Sequence, residues 1–199
     1  MQSIARDLPP PSPWVMRFSR LFRENTRILD LACGGGRHAI RLAARGFQIV
    51  AADRNTAPLY ENLSDAVPRN LEIREVDLET STGWTFSDEK FGGIIITNYL
   101  HRPIMADIAD ALTDEGVLIY ETFAAGNEKF RKPSNPDFLL RPGELWDCFS
   151  DRLSVIAYED GIVTDPRPAR IQRICAVGKK REGIEIPPCQ AAAAPAPTS

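Results

Sequence analysis

Of the 199 residues only four are cysteine, and none of Cys33, Cys148, Cys175 and Cys189 forms a CxxC pair. Two histidines, His38 and His101, complete the set of soft ligands, so no zinc-type spacing exists and no metal is expected. The reading that remains is free thiols in a reducing cytoplasm. The chain has no apolar run of the ~18 or more residues a spanning helix needs, and its start lacks a signal-peptide pattern. No membrane is expected. Charge of one sign is also missing: the net charge is −3 and the pI about 5.5. The global electrostatic footprint of a nucleic-acid binder is therefore absent. Local basic clusters (Arg17, Arg20, Arg23 and Arg27; Lys129, Arg131 and Lys132) read as ordinary solvated faces.

What the chain does have is 43% apolar composition, enough for one good core. Ser12-Pro13 reads as an N-cap with a first-turn proline, and Trp14, Phe18, Leu21 and Phe22 recur at helical spacing, so a helix is expected over 13–23. Strand and helix signals then alternate. Strands are expected near 27–32, 47–52, 71–76, 92–97, 116–122, 152–159 and 170–178, and helices near 36–45, 56–65, 102–112 and 142–149. Continuous apolar runs such as IIIT at 94–97 and VLIY at 117–120 suit strands covered on both faces of a parallel sheet. The last two strands lack a connecting helix and read as an antiparallel pair at one edge. The expected fold is therefore α/β, doubly wound, with a mostly parallel seven-stranded sheet. The domain reading is an N-terminal segment and capping helix over 1–26, a core domain over 27–180, and a Pro/Ala-rich tail over 181–199 that is expected to be disordered because its composition cannot build a core.

The most informative stretch is ILDLACGGGRHAIRLAARGFQIVAADR, from Ile28 to Arg54. A strand ends in Asp30, a glycine turn at Gly34-Gly35-Gly36 follows, and a second strand ends in Asp53. Such a βαβ unit is built to hold a nucleoside, because glycine tolerates both the dihedrals of the turn and the approach of a ligand to the backbone. Gly34-x-Gly36-x-x-Ala39 alone also matches a dinucleotide fingerprint. Its company is more specific. Asp30 would clash with a pyrophosphate but suits a positively charged ligand. Asp53 is placed to accept from both ribose hydroxyls. Asp77, in VDLE after the third strand, could meet an adenine amino group with Leu78 against the ring. Three carboxylates at successive strand ends favour a cationic adenosine ligand over a doubly phosphorylated one, although each alone is also an ordinary turn residue.

With these motifs the sequence resembles the class I S-adenosylmethionine-dependent methyltransferases. DLACGGG is similar to the family's acid-x-Gly-x-Gly-x-Gly motif, with Ala32 in place of the first glycine. AADR resembles its ribose-binding acidic position, and VDL its adenine-flanking segment. The resemblance implies S-adenosylmethionine as cofactor. Asp30, Gly34 and Gly36 would lie around the methionine part, Asp53 at the ribose, and Asp77 and Leu78 at the adenine, with Ala32, Cys33 and Arg54 also among the cofactor contacts. In size and shape the chain is similar to the small tellurite-resistance-type methyltransferases. The implied activity is methyl transfer to an unidentified small-molecule acceptor.

In-line methyl transfer needs alignment and exclusion of water more than conspicuous catalytic groups. The resemblance sets TNYLHRP, residues 97–103, beside the transferred methyl. Asn98 is a candidate for orienting the acceptor, Tyr99 for an aromatic wall, and His101 for a base suited to neutral pH. Arg102 is a candidate for holding an acidic acceptor. A plain polar loop, with His101 opening the next helix, is the competing reading. The long segment 121–146 reads either as a lid, with Asn127, Asn135 and Phe138 as acceptor contacts, or as a solvated excursion. Its apolar PDFLL run favours the lid. Trp14 and Arg17 are either a wall over the cofactor or packing. Two other functions stay open: a nicotinamide-dependent oxidoreductase, opposed by Asp30 and the short chain, and a non-catalytic sensor or scaffold. An open pocket around Asn98 and Tyr99 would favour an enzyme.

Overall fold

The computed structural model describes residues 8–63, 66–80 and 83–188. Seven strands form one sheet: β1 (Arg27–Leu31), β2 (Gln48–Asp53), β3 (Leu71–Glu75), β4 (Phe91–Thr97), β5 (Leu112–Phe123), β6 (Leu153–Val163) and β7 (Ala169–Gly178). Their order is β3-β2-β1-β4-β5-β7-β6. The first five pair in parallel. β7 runs antiparallel to both β5 and β6, so the expected terminal pair is present, with β6 outermost and β7 inside it. Because β1 is followed outward by β2 on one side and by β4 on the other, chain direction reverses between them. Open α/β sheets bind ligands at such a switch point, beyond the carboxyl ends of the strands.

Alternation along the strands divides the core in two. Leu29, Leu31, Ile94, Ile96 and Tyr120 pack on one face with Phe149 and Ile108. Ile28, Ile95, Val117 and Ile119 pack on the other with Trp14, Phe18, Ile40 and Leu42. Both clusters are fully enclosed, which is why β4 and β5 carry continuous apolar runs rather than alternating ones.

The helices α1 (Pro13–Phe18), α2 (Ala39–Ala43), α3 (Ala57–Asn62), α4 (Met105–Asp110) and α5 (Glu144–Phe149) are shorter than the sequence pattern suggests. Local reasons account for the first four. α1 starts at Ser12, whose Oγ accepts from the Val15 N–H at 3.4 Å, and passes into a 3-10 turn at Ser19–Leu21. Gly36 lies at φ 74° and cannot be helical, so regular α2 begins only at Ala39. α3 exits into extended backbone at Leu63; residues 64–65 of its expected span lie outside the described residues. Around Pro103 the chain first makes a 3-10 turn, Arg102–Ile104, and α4 ends early because β5 starts at Leu112.

The stretch expected as an unstructured tail is ordered over its first part. Arg181 Nη2 donates to the Leu21 carbonyl at 2.6 Å and Arg17 Nε to the Pro187 carbonyl at 2.8 Å, which holds 181–188 along α1. The rest of that tail lies outside the described residues. Among the described residues, no helix is long and apolar enough to cross a membrane, and no group of three or more His, Cys, Asp or Glu could hold a metal ion.

Candidate active site

The turn after β1 is built on backbone that glycine would normally supply. Ala32, Gly34 and Gly36 all take positive φ, at 54°, 53° and 74°. A Cβ on Gly36 would come within 2.9 Å of the Leu59 side chain, so α3 packs against that bare backbone. Gly35 is tied in from the same helix by Asn62, whose Nδ2 donates to its carbonyl at 2.9 Å.

Asp30 sits beneath this turn, 1% exposed, on the face of β1 that meets α2. Its Oδ2 accepts from the Ala39 N–H at 2.9 Å. Burial raises its pKa to about 7, only partly countered by the Ala39 N–H and the charge of Arg37. Asp30 is thus a carboxyl poised between its two protonation states, which a nearby cation would ionise. Cys33 adds backbone rather than thiol chemistry. Its N–H donates to the Ala52 carbonyl at 3.1 Å, and burial pushes its thiol up, out of the reactive range.

Asp53 closes β2 and faces back to the turn. Its Oδ2 accepts from the Gly34 N–H at 2.8 Å and its Oδ1 from the Asn55 N–H at 3.0 Å. Beside it opens a cavity of about 260 Å³ lined by Ala32, Asp53, Arg54, Asp77, Leu78 and Tyr99, with Val76, Glu79 and Phe138 completing the rim. Five residues expected at a cofactor therefore share one cavity. Gly34 reaches it through Asp53, whereas Asp30, Cys33 and Gly36 are not among its lining residues. Leu78 offers a buried apolar side chain, and Asp77 folds an Asx turn onto the Glu79 N–H at 2.9 Å.

A second cavity of about 250 Å³ adjoins the first. Asn98, Tyr99, Leu100, Phe123, Pro133, Glu79 and Phe138 line it, and the last two, with Tyr99, belong to both cavities. Asn98 has φ 56° and its N–H donates to the Glu121 carbonyl at 2.9 Å, which ties the end of β4 to β5. Tyr99 is fixed from behind, where its carbonyl accepts from the Tyr120 hydroxyl at 2.9 Å. Its own phenol is pushed up by burial and then by the charges of Glu79 and Asp77, so it stays protonated.

The segment after β5 leaves the sheet and returns beside its own start. Leu140 N–H donates to the Phe123 carbonyl at 2.9 Å, and Ala125 N–H to the Leu140 carbonyl at 2.8 Å. This closed loop has the form of a compact Ω-loop. In the PDFLL run, Leu139 and Leu140 are buried beneath it while Phe138, 49% exposed, projects to the cavities.

Several expected acceptor contacts have other partners. Arg102 does not face an acceptor. Its Nε and Nη2 grip the buried Glu144 at 2.6 and 3.0 Å, and Nη1 and Nη2 donate to the Asp137 and Leu139 carbonyls, both at 2.8 Å. Asn127 is fully buried, with its amide donating to the Arg131 and Pro133 carbonyls at 3.1 Å and its oxygen accepting from Arg170 N–H at 3.2 Å. Asn135 caps the short turn at Pro136–Phe138 through the Asp137 N–H. These three fold the loop rather than lining the cavity, because a long connection must satisfy its backbone groups internally. His101 is half-buried before the 3-10 turn and is not among the lining residues of either cavity.

Trp14 is packing. It is 3% exposed, stacks edge-on to Phe18, and donates from Nε1 to the Ile174 carbonyl at 3.3 Å.

Glu79 and Glu144 carried no sequence signal as site residues. Glu79 lay within the quoted VDLE, two residues past Asp77. Glu144 sits at the start of α5 as an ordinary helix-opening acid, and only the folded chain brings Arg102 to it. Burial raises the Glu144 pKa, but the Arg102 hydrogen bonds and those from Arg141 outweigh it and hold the carboxyl at about 2.

This architecture and site define a class I methyltransferase-type α/β fold. Residues 28–116 match the family described as "Methyltransferase domain". A Bacillus subtilis protein named "Putative methyltransferase YqeM" is 28% identical over 163 residues, covering 74% of this chain and 64% of that protein. The glycine/sarcosine N-methyltransferase of Halorhodospira halochloris is 32% identical over 110 residues, covering 50% of this chain and 40% of that enzyme. The chain thus spans less than two thirds of the length of these curated relatives. Among solved structures, TehB from Haemophilus influenzae superposes with a TM-score of 0.63 at 17% identity, covering 85% of this chain and 62% of TehB. The glycopeptide N-methyltransferase MtfA, complexed with S-adenosylhomocysteine, gives 0.60 at 16% identity, covering 85% of this chain and 90% of MtfA. At that identity these structures speak for the fold.

Proposed function

We propose that this protein transfers a methyl group from S-adenosylmethionine to a small-molecule acceptor. The observation that carries this reading is the pair of joined cavities at the switch point, with Glu79, Tyr99 and Phe138 common to both. One is suited to the nucleoside and the other to the acceptor.

The donor set fits the cofactor. Asp53 would hold the ribose and Asp77 with Leu78 the adenine, while Ala32 and the glycine turn would leave room for the methionine part above Asp30. When bound there, S-adenosylmethionine supplies an electrophilic methyl group on a sulfonium. The protein's own work is positioning: Asn98 and Tyr99 orient the acceptor, and Phe138 with the Ω-loop shields the junction from water. His101 has no place in this scheme, since alignment suffices for an acceptor that already carries a lone pair.

A pyrophosphate cofactor fits less well, because carboxylates at positions 30, 53 and 77 and at Glu79 surround the site. A non-catalytic nucleoside sensor is disfavoured because the second cavity is open rather than filled at Tyr99. The free thiols Cys33, Cys148 and Cys175 suit a reducing cytoplasm. Calorimetric titration with S-adenosylmethionine, S-adenosylhomocysteine and NADH tests the reading. Micromolar binding of the first two without an NADH response is expected; an NADH response alone would overturn it.

A further inference from the structure

The second cavity has an unusual balance of groups for an acceptor site. Its aromatic lining comes from three separate elements: Tyr99 after β4, Phe123 at the end of β5, and Phe138 on the Ω-loop. The one carboxyl side chain lining it is Glu79, and no Lys, Arg or His belongs to the lining. Among the described residues no ion pair engages Glu79. Arg54 lines the first cavity rather than this one, Arg102 grips Glu144, and Arg131 lies over the Phe123 ring at 5.7 Å without lining the cavity.

Resting on the methyl-transfer reading, we infer that the acceptor is a small amine carried on a flat aromatic body, its ring against Tyr99, Phe123 and Phe138 and its nitrogen at Glu79. Aromatic faces and a carboxylate together attract an ammonium or an amine developing positive charge. The charge type of the reaction agrees. A phenol or thiol attacks as an anion, which Glu79 repels and nothing in the lining compensates. An amine attacks as a neutral lone pair and becomes positive during the transfer, which Glu79 stabilises where the charge appears.

In the step, an acceptor entering as an ammonium first loses one proton to water on the open side. The nitrogen lone pair then forms the N–CH₃ bond while the C–S bond breaks, and the bonding pair stays on sulfur. Positive charge passes from sulfur to nitrogen, and the new ammonium releases its proton to solvent on leaving. No oxidant or further reactant is needed.

The test uses three ligands of one shape, benzylamine, benzyl alcohol and benzoate, titrated calorimetrically into the full chain saturated with S-adenosylhomocysteine. Benzylamine should bind about tenfold or more tighter than benzoate, because even a solvent-screened carboxylate at contact distance attracts the one and repels the other by about 1 kcal/mol each. Glu79→Gln should bring the two within about threefold of each other; Glu79 is exposed, so the variant keeps its fold. Equal binding in the unsubstituted protein, tighter benzoate, binding of none of the three, or a preference unmoved by Glu79→Gln would overturn the inference. Faster methylation of catechol than of benzylamine, followed by mass spectrometry, would overturn it too while leaving methyl transfer intact. Failure of S-adenosylhomocysteine itself to bind removes both readings.

Discussion

Ala32 and Asn98 leave neighbouring parallel strands, β1 and β4, in the same left-handed conformation, at φ 54° and 56°. The two strands part at that level, and both residues line the joined cavities. Asn tolerates this conformation through its short polar side chain; Ala has no such relief. Ala32→Gly should therefore be neutral or stabilise by up to about 1 kcal/mol, the strain relieved being partly offset by glycine's unfolded-state entropy. Gly36→Ala should destabilise by about 2 kcal/mol, since it adds strain at φ 74° and a clash with Leu59. Urea unfolding of the two variants checks this contrast.

Asp53→Ala removes the carboxylate assigned to the ribose and also the acceptor for the Gly34 N–H. Charge-assisted hydrogen bonds of this kind are worth about 1.5–3 kcal/mol each, so affinity for S-adenosylmethionine should fall at least about tenfold. Unchanged affinity by calorimetry would refute the ribose assignment without touching the fold.

Asp30 makes binding and stability depend on pH in opposite ways. Its folded pKa of about 7 lies above the reference value of 3.8, so the folded state favours the neutral acid. The stability it confers is complete below 3.8 and is lost as pH rises through about 7. A sulfonium ligand with a free ammonium favours the carboxylate instead. Affinity for S-adenosylmethionine should thus rise as pH climbs to about 7 and then level. Titration in two buffers of different ionisation enthalpy should show proton release near pH 7, and Asp30→Asn should abolish both effects.

His38 gives a slope of the other sign. It is 1% exposed, and its Nε2 accepts from the Ser12 N–H at 3.0 Å, tying the start of α1 to α2. Burial, then the charges of Arg37 and Arg41, lower its pKa from 6.5 to about 3. The stability conferred by neutral His38 is present above 6.5 and is lost as pH falls toward 3. Chemical denaturation of His38→Gln across that range should show a shallower acid-side decline than the parent protein.

Arg102→Leu should loosen the Ω-loop. Glu144, 4% exposed, would keep only Arg141 as a cationic partner. A cost of about 2 kcal/mol is expected, below the full loss of a buried pair because Arg102 is itself partly exposed. The Glu144 contribution, present above the usual glutamate pKa and lost as pH falls to about 2, should shrink with it, the part held by Arg141 remaining. KM for the acceptor should rise more than Kd for S-adenosylmethionine, because Phe138 rides on the loop that Arg102 holds. Equal changes in both would mean the clamp serves the whole site.

Local chemistry made much of this molecule legible in the amino-acid order. The enclosed strands IIIT and VLIY, the Ser12-Pro13 helix start, the glycine turn and the acids at strand ends each depend on neighbours a few residues away. The parallel sheet and its antiparallel ending followed from the alternation of those segments. Helix ends were misjudged where a single positive φ, as at Gly36, outweighed a longer helical pattern.

The acceptor side was not written locally. Arg102, Asn127 and Asn135 carry groups equally able to meet a ligand or to satisfy backbone, and which they do depends on partners many positions away, such as Glu144 and the carbonyls of the returning loop. Tertiary structure alone decided that Arg102 holds the loop, that Trp14 is buried, and that Glu79, Tyr99 and Phe138 meet where two cavities join. The sequence by itself determined the sheet and the nucleoside turn, because periodicity and backbone freedom are properties of short segments. The pairing of distant polar groups is settled only when the chain closes on itself, since burial removes water as the alternative partner.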